Sequence, residues 1–385
     1  MEPQRSPETP ALSPHRQLFW AAMEAAVRHP LRLWVTVGCL VAVVTPFLVG
    51  LAILEGVREE ARRSVDEGPD LLVTGYEHGR NASIAADLVA RARAIPQVAR
   101  ARGRIVGRCY VDERLLTLVG LEDGEAPAKG EVWLGSSVAA ELGLAVGAKL
   151  AVADLQQLDL KVTKVLPPES GLASSRIAVC ALADAQTLYA TPGRISDLQV
   201  WTKNDAQITT DPALMVAFQL RLTGLPLRIQ TKKLVRDYVD RGFTLKGGTF
   251  LALQVVALAV VIPAILVTSG FGMSTRRREV ALMKLVGFSV LDLLEMAAWE
   301  VLVLAVLSAG LAFALAWVWL RPLKGALVAS FFIAELEQGP LALVPAVFQP
   351  MPLGVAFALC LLLLASGVIV TTWRAATASP AEVLR

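Results

Sequence analysis

Polar and apolar positions divide this chain into two kinds of material. Residues 33–54, 250–271, 293–320 and 353–370 are apolar runs almost free of charge, and the first holds no Asp, Glu, Lys or Arg. Each can cross a hydrocarbon core about 30 Å thick, which takes ~20 residues at 1.5 Å rise. One Arg at the centre of such a span costs roughly 2.5–3.5 kcal/mol, so keeping charge out over these lengths points to lipid rather than a soluble core. The interval 55–247 is charged and mixed like a water-soluble domain. The pattern predicts a membrane α-helical protein of four transmembrane helices, with a large α+β extracytoplasmic domain inserted between helices 1 and 2.

The expected boundaries follow from the same pattern. Residues 1–14 read as a disordered start and 15–32 as an amphipathic interfacial helix, with Leu18, Phe19, Ala22, Met23 and Ala26 on one face. The spans are 33–54, 248–272, 293–320 and 352–373. A cytoplasmic coupling segment fills 273–292, a short extracytoplasmic loop 321–351, and a cytoplasmic tail 374–385. Within 55–247, helical spacing predicts a helix over 82–95 that stops before Pro96, and others over 136–144, 182–189 and 212–222. A helix from Lys232 to Tyr238 would run toward the membrane. Alternation predicts strands at 71–74, 104–111, 115–119, 149–153, 158–165, 176–180 and 196–201. Pro46 and Pro263 fall inside spans, where each could serve as a hinge or as a fixed bend.

Charge sets the expected orientation. Arg16, Arg28 and Arg32 precede the first span; Arg276, Arg277, Arg278 and Lys284 separate the second and third; Arg374 and Arg385 follow the fourth. Only Arg321 and Lys324 lie between the third and fourth. The positive-inside rule therefore puts both termini and the 273–292 segment in the cytoplasm. The net charge of +3 is small, and no basic block is interleaved with aromatics, so no nucleic-acid partner is expected; membrane lipids are.

The chain lacks the residue sets that catalysis uses. It has no Gly-x-x-x-x-Gly-Lys-Ser/Thr phosphate loop, no His-Glu-x-x-His, no Cys-x-x-Cys and no Gly-x-Ser-x-Gly. Its three histidines, His15, His29 and His78, fall on both sides of the first span. No catalytic residue, metal site or directly bound cofactor is expected. Glu300, about two turns inside the third span, is an ionisable residue at membrane depth. It suits either a coupling role or a structural one near the interface. Ala305, Ala309 and Ala312 line that span at a spacing that lets helices approach closely, for a dimer seam or for packing within the chain. Cys109 and Cys180 fall in the inserted domain, where an oxidising compartment permits a bridge.

Four motifs resemble the FtsX-like permease family, the MacB, LolC and LolE type of ABC-transporter subunit. The first is Arg276-Arg277-Arg278-Glu279-Val280-Ala281-Leu282-Met283-Lys284-Leu285-Val286-Gly287 after the second span. Trp299-Glu300-Val301-Leu302 is similar to the family's third span. Ser379-Pro380-Ala381-Glu382-Val383-Leu384-Arg385 is similar to its C-terminal ending. Gly135-Ser136-Ser137-Val138-Ala139-Ala140-Glu141-Leu142-Gly143-Leu144-Ala145-Val146-Gly147 resembles an element of its external domain, with Ala148 where an Asp is usual. The resemblance implies a bacterial inner-membrane protein without enzymatic activity of its own. It also implies a cytoplasmic ABC ATPase subunit that supplies ATP-driven motion, and a second permease copy or paralogue. The ATPase would dock on Arg277, Arg278, Glu279, Met283 and Lys284. The implied task is export or lipoprotein/lipid extraction, with a periplasmic adaptor or lipoprotein as a further partner. The alternative is an FtsX-like signalling subunit that activates a periplasmic cell-wall hydrolase.

Overall fold

The computed structural model describes residues 14–28, 30–112, 114–122, 124–203, 211–270, 280, 282–333, 341 and 343–377. Four helices among them are long and apolar enough to cross a membrane: α2 (Pro30–Glu67), α7 (Lys232–Gly270), α8 (Val290–Leu320) and α9 (Pro350–Thr377). A shorter helix, α1 (Pro14–Arg28), precedes them. The chain divides into two compact units. One holds the described residues up to Ala52, Gly247–Val328 and those from Val347 onward; the other holds Ile53–Lys246 and Ala329–Ala346.

In the first unit, α8 packs along α9 and carries α1 against it. The buried face of α8 is Leu293, Ala297, Val301, Leu304, Ala305, Ser308, Ala312 and Ala316, a stripe three to four residues apart as helix packing requires. Ala305 and Ala312 are thus taken up inside the chain, and Ala309 is half-buried. Ala305 and Ala312 therefore pack within the chain.

Among the described residues, the second unit holds a ten-stranded mixed sheet with two cores and a separate two-stranded sheet of Ile84–Ala85 and Arg194–Ile195. Its strands are β1 (Leu71–Glu77), β2 (Arg80–Ala82), β3 (Ile84–Ala85), β4 (Val98–Val111), β5 (Arg114–Leu121), β6 (Glu131–Gly135), β7 (Lys149–Ala153), β8 (Gln157–Leu166), β9 (Ile177–Ala181), β10 (Arg194–Ile195), β11 (Asp197–Thr202) and β12 (Leu227–Thr231). The order is β12-β1-β11-β4-β5-β9-β6-β8-β7, and β7 returns to β4 through Tyr110 and Ala153. Strand β4 therefore serves both halves. Its start lies in an open sheet with β11, β1 and β12. Its end closes a six-stranded ring with β5, β9, β6, β8 and β7.

Alternation fills the ring: Leu116 and Leu118, Val132 and Leu134, Leu150 and Val152, Leu160 and Val162, Ala178 and Cys180 all bury inward. Helices α4 (Ser136–Leu142) and α5 (Leu182–Leu188) complete this core. The open half packs Leu71, Val73, Ala101, Leu198 and Val200 against α3 (Leu88–Arg93) and α6 (Pro212–Arg221). Asp211 caps α6 by accepting the Ala213 amide at 2.9 Å, with Pro212 at the first helical position.

Two expectations are corrected here. The helix expected over 82–95 is confined to Leu88–Arg93, because Ile84 and Ala85 instead pair with Ile195 and Arg194; a long-range strand partner outweighs local helical spacing. The bridge weighed for Cys109 and Cys180 is not made, and both are free, buried thiols. Strand β5 separates them, and their partners on it, Leu116 and Gly120, are four residues apart. That is about 13 Å along the strand, beyond the ~7 Å that a disulfide spans.

Asp70 joins sheet and helix. Its backbone N–H donates to Val200 O at 2.9 Å and its carbonyl accepts the Lys232 amide at 2.8 Å. Its carboxylate accepts the Thr202 amide at 2.8 Å and the Thr202 hydroxyl at 3.0 Å, and faces Lys232 Nζ at 3.1 Å. Burial pushes this carboxyl up, but those bonds outweigh burial and hold it below the usual value. A depressed folded value contributes stability above the ordinary carboxylate range, and that stability is lost as pH falls through the folded value. Melting of the chain is therefore expected to fall more steeply between neutral pH and pH 3 for wild type than for Asp70→Asn; parallel curves would refute this.

Burial pushes the Cys109 thiol to about 11 and the Cys180 thiol to about 12. Peptide mapping after maleimide treatment at pH 7 is expected to find both unlabelled until denaturant is added. Reductant is expected to leave the melting temperature unchanged.

Candidate partner-docking groove

The segment entering α8 is a tight helix–turn–helix whose local chemistry is complete. Residues 282–285 form a helical turn. Gly287 N–H donates to Lys284 O and Phe288 N–H to Met283 O, each at 3.1 Å. This paired closure needs a left-handed residue, and Gly287 supplies it at φ +105°. Two residues on, Ser289 opens α8 with a capping box. Its hydroxyl accepts the Asp292 amide at 3.2 Å, and the Asp292 carboxylate accepts the Ser289 amide at 2.8 Å.

Helix α1 lies beside this turn. Phe19 meets Trp299 edge to face, with ring centroids 5.4 Å apart and planes at 84°. His15 Nδ1 sits 2.6 Å from Glu295 Oε1, which also accepts Trp299 Nε1 at 3.4 Å. The His15 side chain is largely exposed, so that pair contributes little, well under ~1 kcal/mol. The aromatic contact, worth about 0.5–1.5 kcal/mol beyond its buried area, adds to buried Leu18 and Ala22 in seating α1. Between these parts opens a groove of about 340 Å³, lined by Gln17, Leu18, Ala21, Val286, Gly287, Phe288 and Asp292.

The sequence-derived docking residues divide unevenly across this region. Arg277, Arg278 and Glu279 lie outside the described residues. Met283 is half-buried and packs against Val280 and Leu293. Lys284 is half-buried. The exposed side chains here are apolar: Leu282, Leu285, Leu291, and Val286 at 80%. Basic charge drew attention in the sequence. The signal that locates the groove is apolar residues around a Gly followed by Ser-x-x-Asp. Glu300, half-buried on α8, does not line the groove. Among the described residues no group of His, Cys, Asp and Glu could hold a metal.

A second arrangement lies in the other unit. Arg58 and Arg62 on α2 reach Asp240 on α7 at 3.4 and 2.9 Å, and Arg236 pairs with Asp66. Each pair is partly exposed and individually weak; together they fix which residues of the two helices face each other. Gly56 on α2 lies under the backbone of Pro345 and Ala346, where a Cβ would come within 2.6 Å of main-chain atoms. Lys246 Nζ donates to Phe332 O at 3.1 Å. The described residues 329–333, 341 and 343–346, part of the loop expected over 321–351, thus belong to the same compact unit as the inserted domain.

Residues 251–380 match the model of the FtsX-like permease C-terminal family. Among solved structures, the chain is similar to the periplasmic region of MacB from Actinobacillus actinomycetemcomitans, at 10% identity and TM-score 0.34, covering 44% of this chain and 92% of that one. It is also similar to the extracellular domain of the noncanonic ABC-type transporter YknZ from Gram-positive bacteria, at 14% identity and TM-score 0.31, covering 42% of this chain and 98% of that one. No curated protein sequence matches.

The turn chemistry gives a stability test by thermal unfolding in detergent. Gly287→Ala forces a side chain into left-handed backbone and is expected to cost about 1–2 kcal/mol. Ser289→Ala is expected to cost about 1 kcal/mol, and exposed Val286→Ser to stay within ~0.5 kcal/mol. Equal losses for all three would remove the assigned motif.

Proposed function

We propose that this chain is the membrane subunit of an ABC-type transporter, and that it passes on motion generated by a separate cytoplasmic ATPase. The observation that carries the reading is the exposed apolar surface of Leu282, Leu285, Val286 and Leu291 beside the groove. It lies within the stretch that matches the permease family model. In this reading the groove faces the cytoplasm and receives the partner, with Lys284 at its margin. ATP acts only through that partner, and a second permease copy or paralogue completes the assembly.

The helices suit such transmission. At 1.5 Å per residue, α2 with 38 residues and α7 with 39 are each about 57 Å long, against a hydrocarbon core of about 30 Å. A helix that continues unbroken past the lipid can carry a rigid-body displacement without unfolding. The Arg58–Asp240, Arg62–Asp240 and Arg236–Asp66 pairs would keep α2 and α7 moving together. The backbone seated on Gly56 would bring the α8–α9 connection along. Export or extraction of a lipid-anchored cargo follows from this reading, with the inserted domain on the outer side.

Co-expression with a candidate ABC-type ATPase tests the proposal. The isolated chain is expected to hydrolyse no ATP. Val286→Asp is expected to cut co-purification of the ATPase at least about tenfold, equivalent to ~1.4 kcal/mol, with melting unchanged. Gly56→Val is expected to retain the ATPase yet abolish transport-coupled stimulation of hydrolysis. ATPase activity in the isolated chain, or undiminished capture by Val286→Asp, would overturn the assignment.

A further inference from the structure

The six-stranded ring carries a second cavity, of about 210 Å³, at the β4–β5 hairpin. Its floor is apolar and buried, made by Val111, Leu116 and Val138; Leu142 and the partly exposed Leu115 form its sides. One edge is ionic. Glu141 Oε1 accepts Arg114 Nη1 at 3.0 Å, and Glu141 Oε2 accepts Arg176 Nη2 at 3.1 Å. The Arg176 side chain is 9% exposed and that of Arg114 57%. Two guanidinium groups thus share one carboxylate at the mouth of an apolar hole, which leaves the lining with a net positive charge. Arg114 spends only Nη1 on Glu141. Its Nη2 and Nε make no contact among those described, and a guanidinium has five N–H donors to offer.

Size narrows the ligand. The volume exceeds the ~150 Å³ that holds a benzene and falls short of the ~300 Å³ at which pockets for drug-sized molecules begin. One branched or aromatic side chain fits, and a full acyl chain does not. We propose that this cavity binds the C-terminal residue of a peptide or protein partner, its apolar side chain on Val111, Leu116 and Val138 and its α-carboxylate on Arg114. A carboxylate meets a guanidinium fork through two parallel hydrogen bonds, and capture of a chain end by such a charge is a recurring mode of peptide recognition. The site is separate from the groove beside α8 and does not depend on the transporter assignment.

Binding of three probes to the full chain in nanodiscs tests it by calorimetry: N-acetyl-Gly-Gly-Leu as the free acid, the same peptide as its C-terminal amide, and hexanoate. The free acid is expected to saturate below ~1 mM, with the amide and hexanoate each at least about tenfold weaker. Arg114→Gln is expected to lose about tenfold without a change in melting, because that side chain is mostly exposed. Glu141→Gln removes the competing carboxylate and is expected to tighten the free acid several-fold, a gain that loss of a merely structural ion pair does not give. Equal binding of acid and amide, or unchanged affinity in Arg114→Gln, would overturn the proposal. Hexanoate binding as tightly as the peptide would overturn it too, in favour of a free fatty acid.

Discussion

Hydrocarbon offers no partner for a charge or for an unpaired backbone amide, and this governs most of the chain. It forces long, nearly charge-free helices, and it pushes specific polar chemistry to their ends. The capping box at Ser289 and Asp292, the His15–Glu295 contact and the Asp70–Thr202–Lys232 cluster all lie at or beyond helix termini. Along the spans, packing is carried by small and branched apolar side chains such as Ala305, Ala312 and Leu304.

The same constraint gives the two ends of α2 and α7 different roles. Up to Ala52, α2 buries Val37, Leu40, Val44 and Leu48. Beyond Ile53 it turns polar, and Arg58, Arg62 and Asp66 find partners on α7. One helix thus carries an apolar programme and then an ionic one, with no loop between them. Gly56 marks the change, since only a residue without Cβ admits the backbone of Pro345 and Ala346. The inserted domain builds on these helices through Asp70, which hydrogen-bonds to β11 on one side and to the start of α7 on the other.

Strand β4 is the corresponding hinge of organisation inside the domain. Its register with β11 runs from Asp197↔Arg104 to Thr202↔Val98, and its register with β5 from Arg104↔Leu121 to Val111↔Arg114. Fourteen residues are enough to join an open sheet to a closed ring. The ring supplies the interior that buries Cys109 and Cys180. Its hairpin end supplies the cavity edged by Arg114, Glu141 and Arg176.

The sequence by itself determined the elements whose cause is local. Four spans follow from charge exclusion, α6 from helical spacing, and most strands from alternation. Tertiary structure decided whatever depends on a distant partner. Ile84 and Ala85 became a strand because β10 lies beside them. Ala305 and Ala312 turned inward because the chain itself covers them. Met283 turned partly inward because Val280 and Leu293 receive it. Residues 345–346 joined the inserted domain's unit because their backbone fits over Gly56. Periodicity reports how a residue meets water or lipid, whereas which two faces meet is set by packing between residues far apart in the chain, and that information is not local.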